Sequence, residues 1–389
     1  MAFLTEQDKK YRTPEDICTH LGDEYGKFSG AIVPPIFQNS LFVNPTDVNG
    51  VEPHGHGYTR VSNPTTDIAE RKIAALEGAD GALCFSSGMG AISSAIMHFV
   101  KPGGHVLMVA SSYGPTVEFA KNYLRNRMGI EYTAIPGDSV EEIEAAIQPN
   151  TCVIYLESPS SLIFRMQDLE AVAAVAKARG IGTIIDNSYA TPLHQQPLKY
   201  GIDIVCHTAS KYMGGHSDIV AGALASSRDI IASIQGNERA LYGNNMDPFA
   251  AWLLLRGLRT LPVRLKQHGE NAKKIVEYLE NHPKVKKVYY PGSKTYDQPE
   301  LFEKYLSGTN GLLSFEPDGT PEQVEKFVRN LYYFQNGCSW GGFESLAVHS
   351  GKNESIGLMN DVVRMHVGLE SVETLIADID QAMAVAFGA

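Results

Sequence analysis

The feature of this sequence that most constrains its fold is a regular alternation of short apolar runs with longer helical patterns. The runs are apolar on both faces, which is typical of parallel strands that helices cover on each side. The runs lie at 105–110, 152–157, 182–186 and 203–208, and the helical patterns lie near 116–128 and at 168–180. This alternation predicts a doubly wound α/β domain on a mostly parallel sheet.

The residues before this region have a different character. Residues 1–60 carry glycine, proline and aromatic residues without sustained periodicity, and their apolar content indicates a segment that lies over another surface, such as a second subunit. Asn63 and Pro64 are suited to the N-cap and the first position of a helix, and Gly78 is suited to end it. The regular domain is therefore expected to begin at residue 63.

The residues after 257 predict a smaller α+β unit. Helical patterns cover 261–281, 321–331 and 371–387, and the runs VKKVYY, GLLSFEP and VVRMHVG have the character of strands. We therefore divide the chain into an N-terminal arm that contacts a neighbouring subunit, an α/β domain and a C-terminal α+β domain. The predicted bounds of these parts are 1–62, 63–256 and 257–389.

Composition limits the partners of the chain. Its net charge is −11 and no basic cluster occurs, which disfavours nucleic acid and anionic membranes as partners. The five cysteines are widely spaced, which is typical of a reducing compartment rather than of a disulfide framework or a zinc site. The N-terminus has no apolar signal region and no run is long enough to span a bilayer. We expect a cytoplasmic protein without a metal.

Three stretches carry residues suited to chemistry. FSSGMGA (85–91) places small residues at a helix start, where backbone N–H groups can hold a phosphate, although a tight turn into a helix has the same pattern. Asp186 ends an apolar run, where a carboxylate can pair with a protonated ring nitrogen or cap a turn. Lys211 follows the run 203–208, where a lysine is ordinarily a solvated terminus.

Taken together, these stretches supply the parts that pyridoxal 5'-phosphate (PLP) requires. Lys211 can form a Schiff base, Asp186 can keep the pyridine nitrogen protonated, and the helix start at 85–91 can hold the phosphate. Thr208 and Ser210 can donate hydroxyl groups to the phosphate, and Tyr113 follows a strand where its ring can stack on the cofactor. The combination favours PLP over the simpler interpretation of each stretch.

The sequence resembles the Cys/Met-metabolism family of PLP enzymes, which includes cystathionine β-lyase, cystathionine γ-lyase, cystathionine γ-synthase and methionine γ-lyase. The resemblance runs from about residue 30 to the C-terminus. It rests on YTRVSNPT (58–65), SSGMGA (86–91), LESPSS (156–161), DNSYATP (186–192), HTASKYMGGHSD (207–218), RGLRT (256–260), SWGGFESL (339–346) and VVRMHVGLE (362–370). It implies the type I, aspartate-aminotransferase-like PLP fold with a seven-stranded sheet, in which 63–256 is the PLP-binding domain.

The resemblance also implies roles for individual residues. Lys211 is the Schiff-base lysine and proton shuttle, Asp186 is the partner of the pyridine nitrogen, and Tyr113 stacks on the ring and assists proton transfer. The phosphate is bound by Gly88, Met89, Thr208 and Ser210. The substrate carboxylate is bound by Arg364 with Ser339, where a bidentate pair can form.

The same resemblance implies an oligomer. Tyr58 and Arg60 are expected to reach the phosphate of a neighbouring subunit, within a homotetramer that is a dimer of dimers. Each active site then exists only in the assembly. The expected catalytic residues are Lys211, Tyr113 and Tyr58, and the expected substrate is a small sulfur amino acid.

The subclass depends on a few positions beside these motifs. Trp340 and Ser161 are typical of β-acting members, and Pro115 lies where methionine γ-lyases have a cysteine. Cys338 and Val61 depart from the residues that the β-lyases carry. We expect α,β-elimination of L-cystathionine and L-cystine-like substrates to a thiol, pyruvate and ammonia. The alternatives are γ-elimination or γ-replacement, as in cystathionine γ-lyase, γ-synthase, O-acyl-homoserine sulfhydrylase or methionine γ-lyase, and a non-catalytic binding relative.

Overall fold

The structure, a computed structural model, describes residues 3–388 and contains two β-sheets flanked by helices. The larger sheet has the strand order β1-β7-β6-β5-β4-β2-β3, and β7 runs antiparallel to both of its neighbours while the other pairs are parallel. The strands are β1 (Gly81–Phe85), β2 (His105–Val109), β3 (Glu131–Ile135), β4 (Thr151–Glu157), β5 (Gly182–Asp186), β6 (Ile204–His207) and β7 (Gly222–Ser226). The predicted seven-stranded, mostly parallel sheet is confirmed.

Helices cover both faces of this sheet, which explains why its strands are largely buried, except for the partly exposed edge strand β3. On one face of the sheet, Ile185 packs in a core cluster with residues of helices that precede β1 and helices that follow β7 in the chain. On the other face, Ile184 packs with residues of the helix that follows β1. The helices are α2 (Pro64–Glu77), α3 (Gly88–Phe99), α4 (Gly114–Glu118), α5 (Asn126–Met128), α6 (Val140–Ala146), α7 (Leu169–Ala178), α8 (Thr191–His194), α9 (Arg228–Ile234), α10 (Ala240–Tyr242) and α11 (Pro248–Arg259). The π-helical stretches Phe119–Arg125 and Gln235–Arg239 join α4 to α5 and α9 to α10.

The boundaries predicted for α2 are confirmed at both ends. The side chain of Asn63 accepts a hydrogen bond from the Thr65 N–H at 2.9 Å, as an N-cap does. Pro64 occupies the first helical position, and Gly78 ends the helix with a φ of 67°.

The second sheet lies in the C-terminal part of the chain and has the order β10-β11-β12-β9-β8. Its strands are β8 (Val285–Tyr289), β9 (Leu312–Pro317), β10 (Gln335–Asn336), β11 (Leu346–Ser350) and β12 (Val362–His366), and the helices of this part are α12 (Leu261–Glu280), α13 (Pro299–Tyr305), α14 (Pro321–Arg329) and α15 (Val372–Phe387). The long helix and the three strands predicted from the sequence are present. The domain bounds stay a prediction. Helix α11 (Pro248–Arg259) crosses the boundary that was predicted between residues 256 and 257.

The N-terminal residues contain a helix that the sequence pattern did not reveal. Helix α1 (Pro14–His20) begins at the N-cap Thr13, and its residues Ile17 and Cys18 are buried in the core of this same chain. The remaining short helical turns are 3-10 segments at Asp8–Lys10, Tyr25–Phe28, Pro197–Tyr200 and Glu354–Ile356. Between α1 and α2, several large apolar side chains stay exposed: Ile32, Leu41, Val43 and Val48. The contact of this arm with a neighbouring subunit stays a prediction.

Within residues 3–388, no helix combines the length and the apolar character that a membrane crossing requires.

Helix α11 approaches the segment that follows β6 so closely that only glycine fits at the contact. A Cβ atom at Gly257 would lie 2.5 Å from the carbonyl oxygen of Met213 and would also meet that of Gly214. Because both obstacles are backbone atoms, no side-chain rotation can relieve them. Gly257 therefore fixes the position of the segment that carries Lys211.

We predict that Gly257→Ala lowers the free energy of unfolding by about 2 kcal/mol, because the added methyl group forces two backbone segments apart. Gly236→Ala is the matched control, since a Cβ at Gly236 has no neighbour within 4 Å. Thermal unfolding at fixed protein concentration measures both variants. Equal unfolding midpoints for the two variants would contradict the close packing of α11.

Candidate active site

Lys211 lies in a turn between β6 and β7, with its amine directed into the protein. Its backbone N–H donates to the Thr208 carbonyl at 3.1 Å, and its Nζ donates to Ser339 Oγ at 2.6 Å. Burial, together with the positive charge of Arg364, lowers the pKa of the Lys211 amine below its ordinary value. A lysine with a lowered pKa is better able to accept a proton at neutral pH. Lys211 is therefore not a solvated strand terminus.

The residues that face Lys211 come from the smaller sheet. Trp340 is buried, and its ring centre lies 5.3 Å from Lys211 Nζ and 5.5 Å from the ring centre of Tyr212. Gly341 adopts a φ of 87°, and a Cβ there would lie 2.6 Å from the backbone nitrogen of Tyr212. Glycine at 341 thus lets the loop after β10 lie against the backbone of the lysine turn.

Arg364 completes the group on this side of the site. It lies on β12, and its guanidinium donates to the carbonyl oxygen of Cys338, the residue before Ser339. The structure therefore brings together four of the residues predicted from the sequence: Lys211, Ser339, Trp340 and Arg364. A guanidinium and a hydroxyl beside an amine can bind the carboxylate of an amino acid.

Asp186 ends β5 at the carboxyl edge of the larger sheet and is 6% exposed. Its Oδ1 accepts a hydrogen bond from the Ser188 N–H at 2.9 Å. Burial raises the pKa of the Asp186 carboxyl, while the hydrogen bonds from Ser188 and the charges of His207 and Lys211 act in the opposite direction. A buried carboxylate at this edge is positioned to pair with a cationic ring nitrogen.

Glu157 was missed in the sequence as a functional residue. It ends β4 and is the Cα partner of Asp186 in the pairing of β4 with β5. Its Oε2 accepts from the Tyr113 N–H at 2.7 Å, and its Oε1 accepts from the Ser161 N–H at 3.2 Å. The signal that could have found it is the same as for Asp186, an acidic residue that closes a buried apolar run.

The start of α3 forms a cradle of backbone groups. Ser87 is its N-cap and accepts a hydrogen bond from the Gly90 N–H at 3.0 Å. A Cβ at Gly88 would meet Thr208 Oγ1 and would lie 3.0 Å from the Thr208 Cβ. The first turn of α3 therefore lies directly against the residue that precedes the lysine turn, with Met89 following Gly88 in the same turn.

The hydroxyl of Ser210 has protein partners on both sides. It donates to the Ala221 carbonyl at 3.2 Å and accepts from the Ala221 N–H at 2.8 Å. These bonds join the two ends of the lysine turn, so Ser210 holds the turn together. Its predicted role at the phosphate stays a prediction.

These residues fit PLP. The glycine cradle at Gly88 and the helix N-terminus of α3 suit a phosphate, the buried carboxylate of Asp186 suits a protonated pyridine nitrogen, and the inward amine of Lys211 suits an aldehyde carbon. The residues that would hold the cofactor are Gly88, Met89, Asp186, Thr208 and Lys211, and a contact of Ser210 with the phosphate stays a prediction.

Tyr58, Arg60 and Tyr113 are less enclosed than the rest of the site. Tyr58 is 47% exposed and Tyr113 is 49% exposed. The Arg60 guanidinium donates to the Ala240 carbonyl and lies 5.5 Å from the ring centre of Tyr58. Among the described residues, the structure records no hydrogen bond from Tyr58 or Arg60 to Lys211.

Comparison with known proteins identifies relatives over nearly the whole chain. A family model described as Cys/Met metabolism PLP-dependent enzyme matches residues 15–384. The chain is 38% identical to L-methionine gamma-lyase of Porphyromonas gingivalis, covering 91% of this chain and 93% of the relative, and 36% identical to cystathionine beta-lyase of Lactococcus lactis, covering 94% and 97%. The crystal structure of metB from Corynebacterium glutamicum superposes with a TM-score of 0.90 at 34% identity and covers 97% of this chain and 99% of that one.

We predict that Asp186→Asn has opposite effects on stability and on cofactor binding. The substitution removes a buried charge beside Glu157, so the thermal unfolding midpoint of the cofactor-free protein should rise. The affinity for PLP should fall at least tenfold, since the neutral amide no longer attracts a cationic ring nitrogen. Spectrophotometric titration with PLP measures the affinity.

Asp203→Asn is the control for this prediction. Asp203 accepts hydrogen bonds from Thr183 at the start of β5, whereas Asp186 lies at the opposite end of this strand. Its substitution should leave PLP affinity unchanged. A PLP affinity in Asp186→Asn equal to that of the control would show that Asp186 does not face the cofactor.

Proposed function

We propose that this chain, which belongs to the Cys/Met-metabolism family of PLP-dependent enzymes, is a carbon–sulfur lyase of the cystathionine β-lyase type. Its reaction converts L-cystathionine and water into homocysteine, pyruvate and ammonia. L-cystine and related β-thio amino acids are secondary substrates. The observation that carries the proposal is the packing of Trp340 beside Lys211, with 5.3 Å between its ring centre and the amine.

The cofactor supplies one part of this chemistry: bound PLP accepts the electron pair that remains on Cα when a proton leaves that carbon. The chain supplies the rest. Arg364 and Ser339 bind the substrate carboxylate and thereby direct the Cα–H bond towards the amine of Lys211. Asp186 holds the ring nitrogen in its protonated state, which strengthens the electron-accepting character of the cofactor.

Proton transfer is assigned to two residues. The amine of Lys211, whose pKa is lowered by burial, takes the proton from Cα. The hydroxyl of Tyr113 protonates the sulfur that leaves Cβ, so that a neutral thiol departs. Tyr113 is tied through its backbone N–H to Glu157, the sheet partner of Asp186, which supports its assignment to this site.

The choice of β- over γ-elimination follows from the surroundings of the lysine. Gamma-elimination requires that a second proton be taken from Cβ, so the amine must reach two carbons in turn. Trp340 is buried between Tyr212 and Lys211 and occupies the space on one side of the amine. We infer that it restricts the amine to the proton on Cα.

The alternative is γ-elimination or γ-replacement on a homoserine derivative or on methionine. It is favoured by one specific observation, the 38% identity to a relative named L-methionine gamma-lyase, beside 36% to one named cystathionine beta-lyase. Such similar identities support the family rather than a substrate.

Cys338 offers no carboxylate for the distal ammonium of cystathionine, so we propose only modest selectivity among β-thio amino acids.

We further propose a cytoplasmic homotetramer with active sites shared between subunits. The support is the exposure of the arm: Leu41 and Val43 are each 60% exposed, and Leu41 forms a β-bridge with Tyr58. A second copy packed on this apolar segment would carry Tyr58 and Arg60 to a neighbouring phosphate site. The charge of Arg60 would add to the positive end of the α3 dipole in neutralising the phosphate.

The expected products of L-cystathionine distinguish the two functions. We predict mainly pyruvate, with a larger share of 2-oxobutyrate in Trp340→Leu, because the smaller side chain frees the lysine to reach Cβ. Trp252→Leu, which removes the other tryptophan of the chain, on α11, should keep the wild-type ratio. Chromatography of the keto acids gives the result. Predominant 2-oxobutyrate from the wild-type enzyme would overturn the β-lyase proposal in favour of γ-elimination.

Subunit mixing tests the shared site. Lys211→Ala and Arg60→Ala should each be inactive, and their equal mixture should recover about a quarter of wild-type activity, because each hybrid dimer regains one intact site. A mixture of Lys211→Ala with Asp186→Asn is the control and should recover nothing, since both residues serve the same chain's site. No recovery in the first mixture after prolonged exchange would refute the role of Arg60 across subunits.

A further inference from the structure

Glu157 has no part in the reaction described above, although it is buried and is the sheet partner of Asp186. We propose that Glu157 is a positioning residue of the cofactor site, whose protonated carboxyl fixes the backbone of Tyr113 and leaves the single negative charge of a carboxyl pair on Asp186. The inference rests on the proposed function, because the ligand it concerns is PLP. It assigns to this chain a second buried acid with a role distinct from that of Asp186.

The first argument is the register of the sheet. Glu157 and Asp186 are the last residues of β4 and β5 and are Cα partners, so their side chains leave the same face of the sheet side by side. They are 5% and 6% exposed. Two adjacent buried carboxyl groups cannot both be ionised without a large electrostatic cost, so one of them retains a proton.

The second argument concerns which of the two retains the proton. Lys211 and His207 both act electrostatically to favour the ionised form of Asp186. Burial and the charge of Asp186 raise the pKa of Glu157 to about 8, although N–H and O–H donors from Tyr113 and Ser161 act in the opposite direction. The proton therefore stays on Glu157 at neutral pH.

Other ionisable groups also face Glu157. From β12, the guanidinium of Arg364 feels the charge of the carboxyl, and from within β4 the hydroxyl of Tyr155 does so. Tyr155 is buried, and its pKa is raised well above the ordinary value, so it stays neutral. Arg364 is a cation on the side of the substrate. The ionisation of Glu157 at alkaline pH thus adds a second negative charge beside Asp186, which Arg364 also feels.

The third argument is the pair of backbone bonds that Glu157 accepts. Tyr113 precedes α4 and its ring is half exposed, so its position depends on its backbone. The bond of 2.7 Å from its N–H to Glu157 Oε2 ties the start of α4 to the end of β4, and the bond of 3.2 Å from Ser161 N–H to Oε1 ties the following loop to the same carboxyl. The side chain of Glu157 therefore positions both the start of α4 and the loop that follows β4.

The experiment compares wild-type holoenzyme with Glu157→Gln and Glu157→Asp. The absorption band of bound PLP is followed from pH 6 to pH 10, and the dissociation constant of PLP is measured at pH 7. Wild type should show an alkaline ionisation that Glu157→Gln lacks, because burial and the charge of Asp186 raise the pKa of the Glu157 carboxyl. In Glu157→Gln the amide accepts only one of the two backbone bonds, so the dissociation constant should rise about tenfold.

Glu157→Asp separates charge from position. The shorter acid can still ionise but cannot reach both N–H groups, so an alkaline ionisation should be present while PLP affinity is reduced. Glu316→Gln is the control: Glu316 is a buried acid on β9 of the smaller sheet, and its substitution should leave both measurements unchanged.

The outcomes are distinct for the two proposals. If Glu157→Gln titrates as wild type does and binds PLP within twofold of wild type, the role of Glu157 is refuted while the proposed function stands. If wild type itself binds no PLP, the proposed function fails, and the role of Glu157 fails with it.

Discussion

The site depends on backbone contacts that enclose the lysine turn from two directions. Gly257 of α11 lies against the carbonyl groups of Met213 and Gly214, and Gly341 of the smaller part lies against the backbone of Tyr212. A side chain at either glycine would hold these segments apart. Because the turn is clamped between them, the amine of Lys211 points towards Ser339 rather than into solvent. The chemistry of this protein therefore begins with close backbone packing.

The enclosure has an electrostatic consequence. Burial disfavours the charged form of each group it surrounds, so it acts on Lys211 and Arg364 on one side and on Asp186 and Glu157 on the other. The lowered pKa of Lys211 and the raised pKa of Glu157 favour the neutral form of each group, and Arg364 and Asp186 are the cation and the anion on the two sides of the site. This arrangement provides a base for Cα, a fixed cation for a carboxylate and a fixed anion for a ring nitrogen.

The sequence predicted those features that depend on local chemistry. The ends of α2 followed from Asn63 and Gly78, and strands β2, β4, β5 and β6 of the larger sheet followed from continuous apolar runs, whereas β1 and β3 were not predicted. Strand β7 (Gly222–Ser226) was not predicted, because its small residues carry little strand signal and its antiparallel insertion is decided by tertiary packing. Helix α1 was missed because it is only seven residues long.

Part of the site was also predictable, because two of its residues are marked by local sequence patterns. Asp186 and Lys211 close apolar runs, which is visible in the sequence, whereas the contact of Ser339 and Trp340 with the lysine joins residues more than a hundred positions apart. That contact was expected only through the family resemblance. Glu157 closes an apolar run as Asp186 does, but its pairing with Asp186 depends on the register of β4 with β5, which is decided by the sheet and not by the local sequence.

The central claim is that PLP is held by the amine of Lys211. The lysine to which the cofactor is attached can be identified directly. The holoenzyme is treated with sodium borohydride, which fixes the cofactor to its lysine, and the digested protein is examined by mass spectrometry. We predict a single modified peptide that carries PLP on Lys211. A label on Lys72 would contradict the account, since burial lowers the pKa of that amine to about 8 and makes it the informative competitor. The absence of any labelled lysine would contradict it as well.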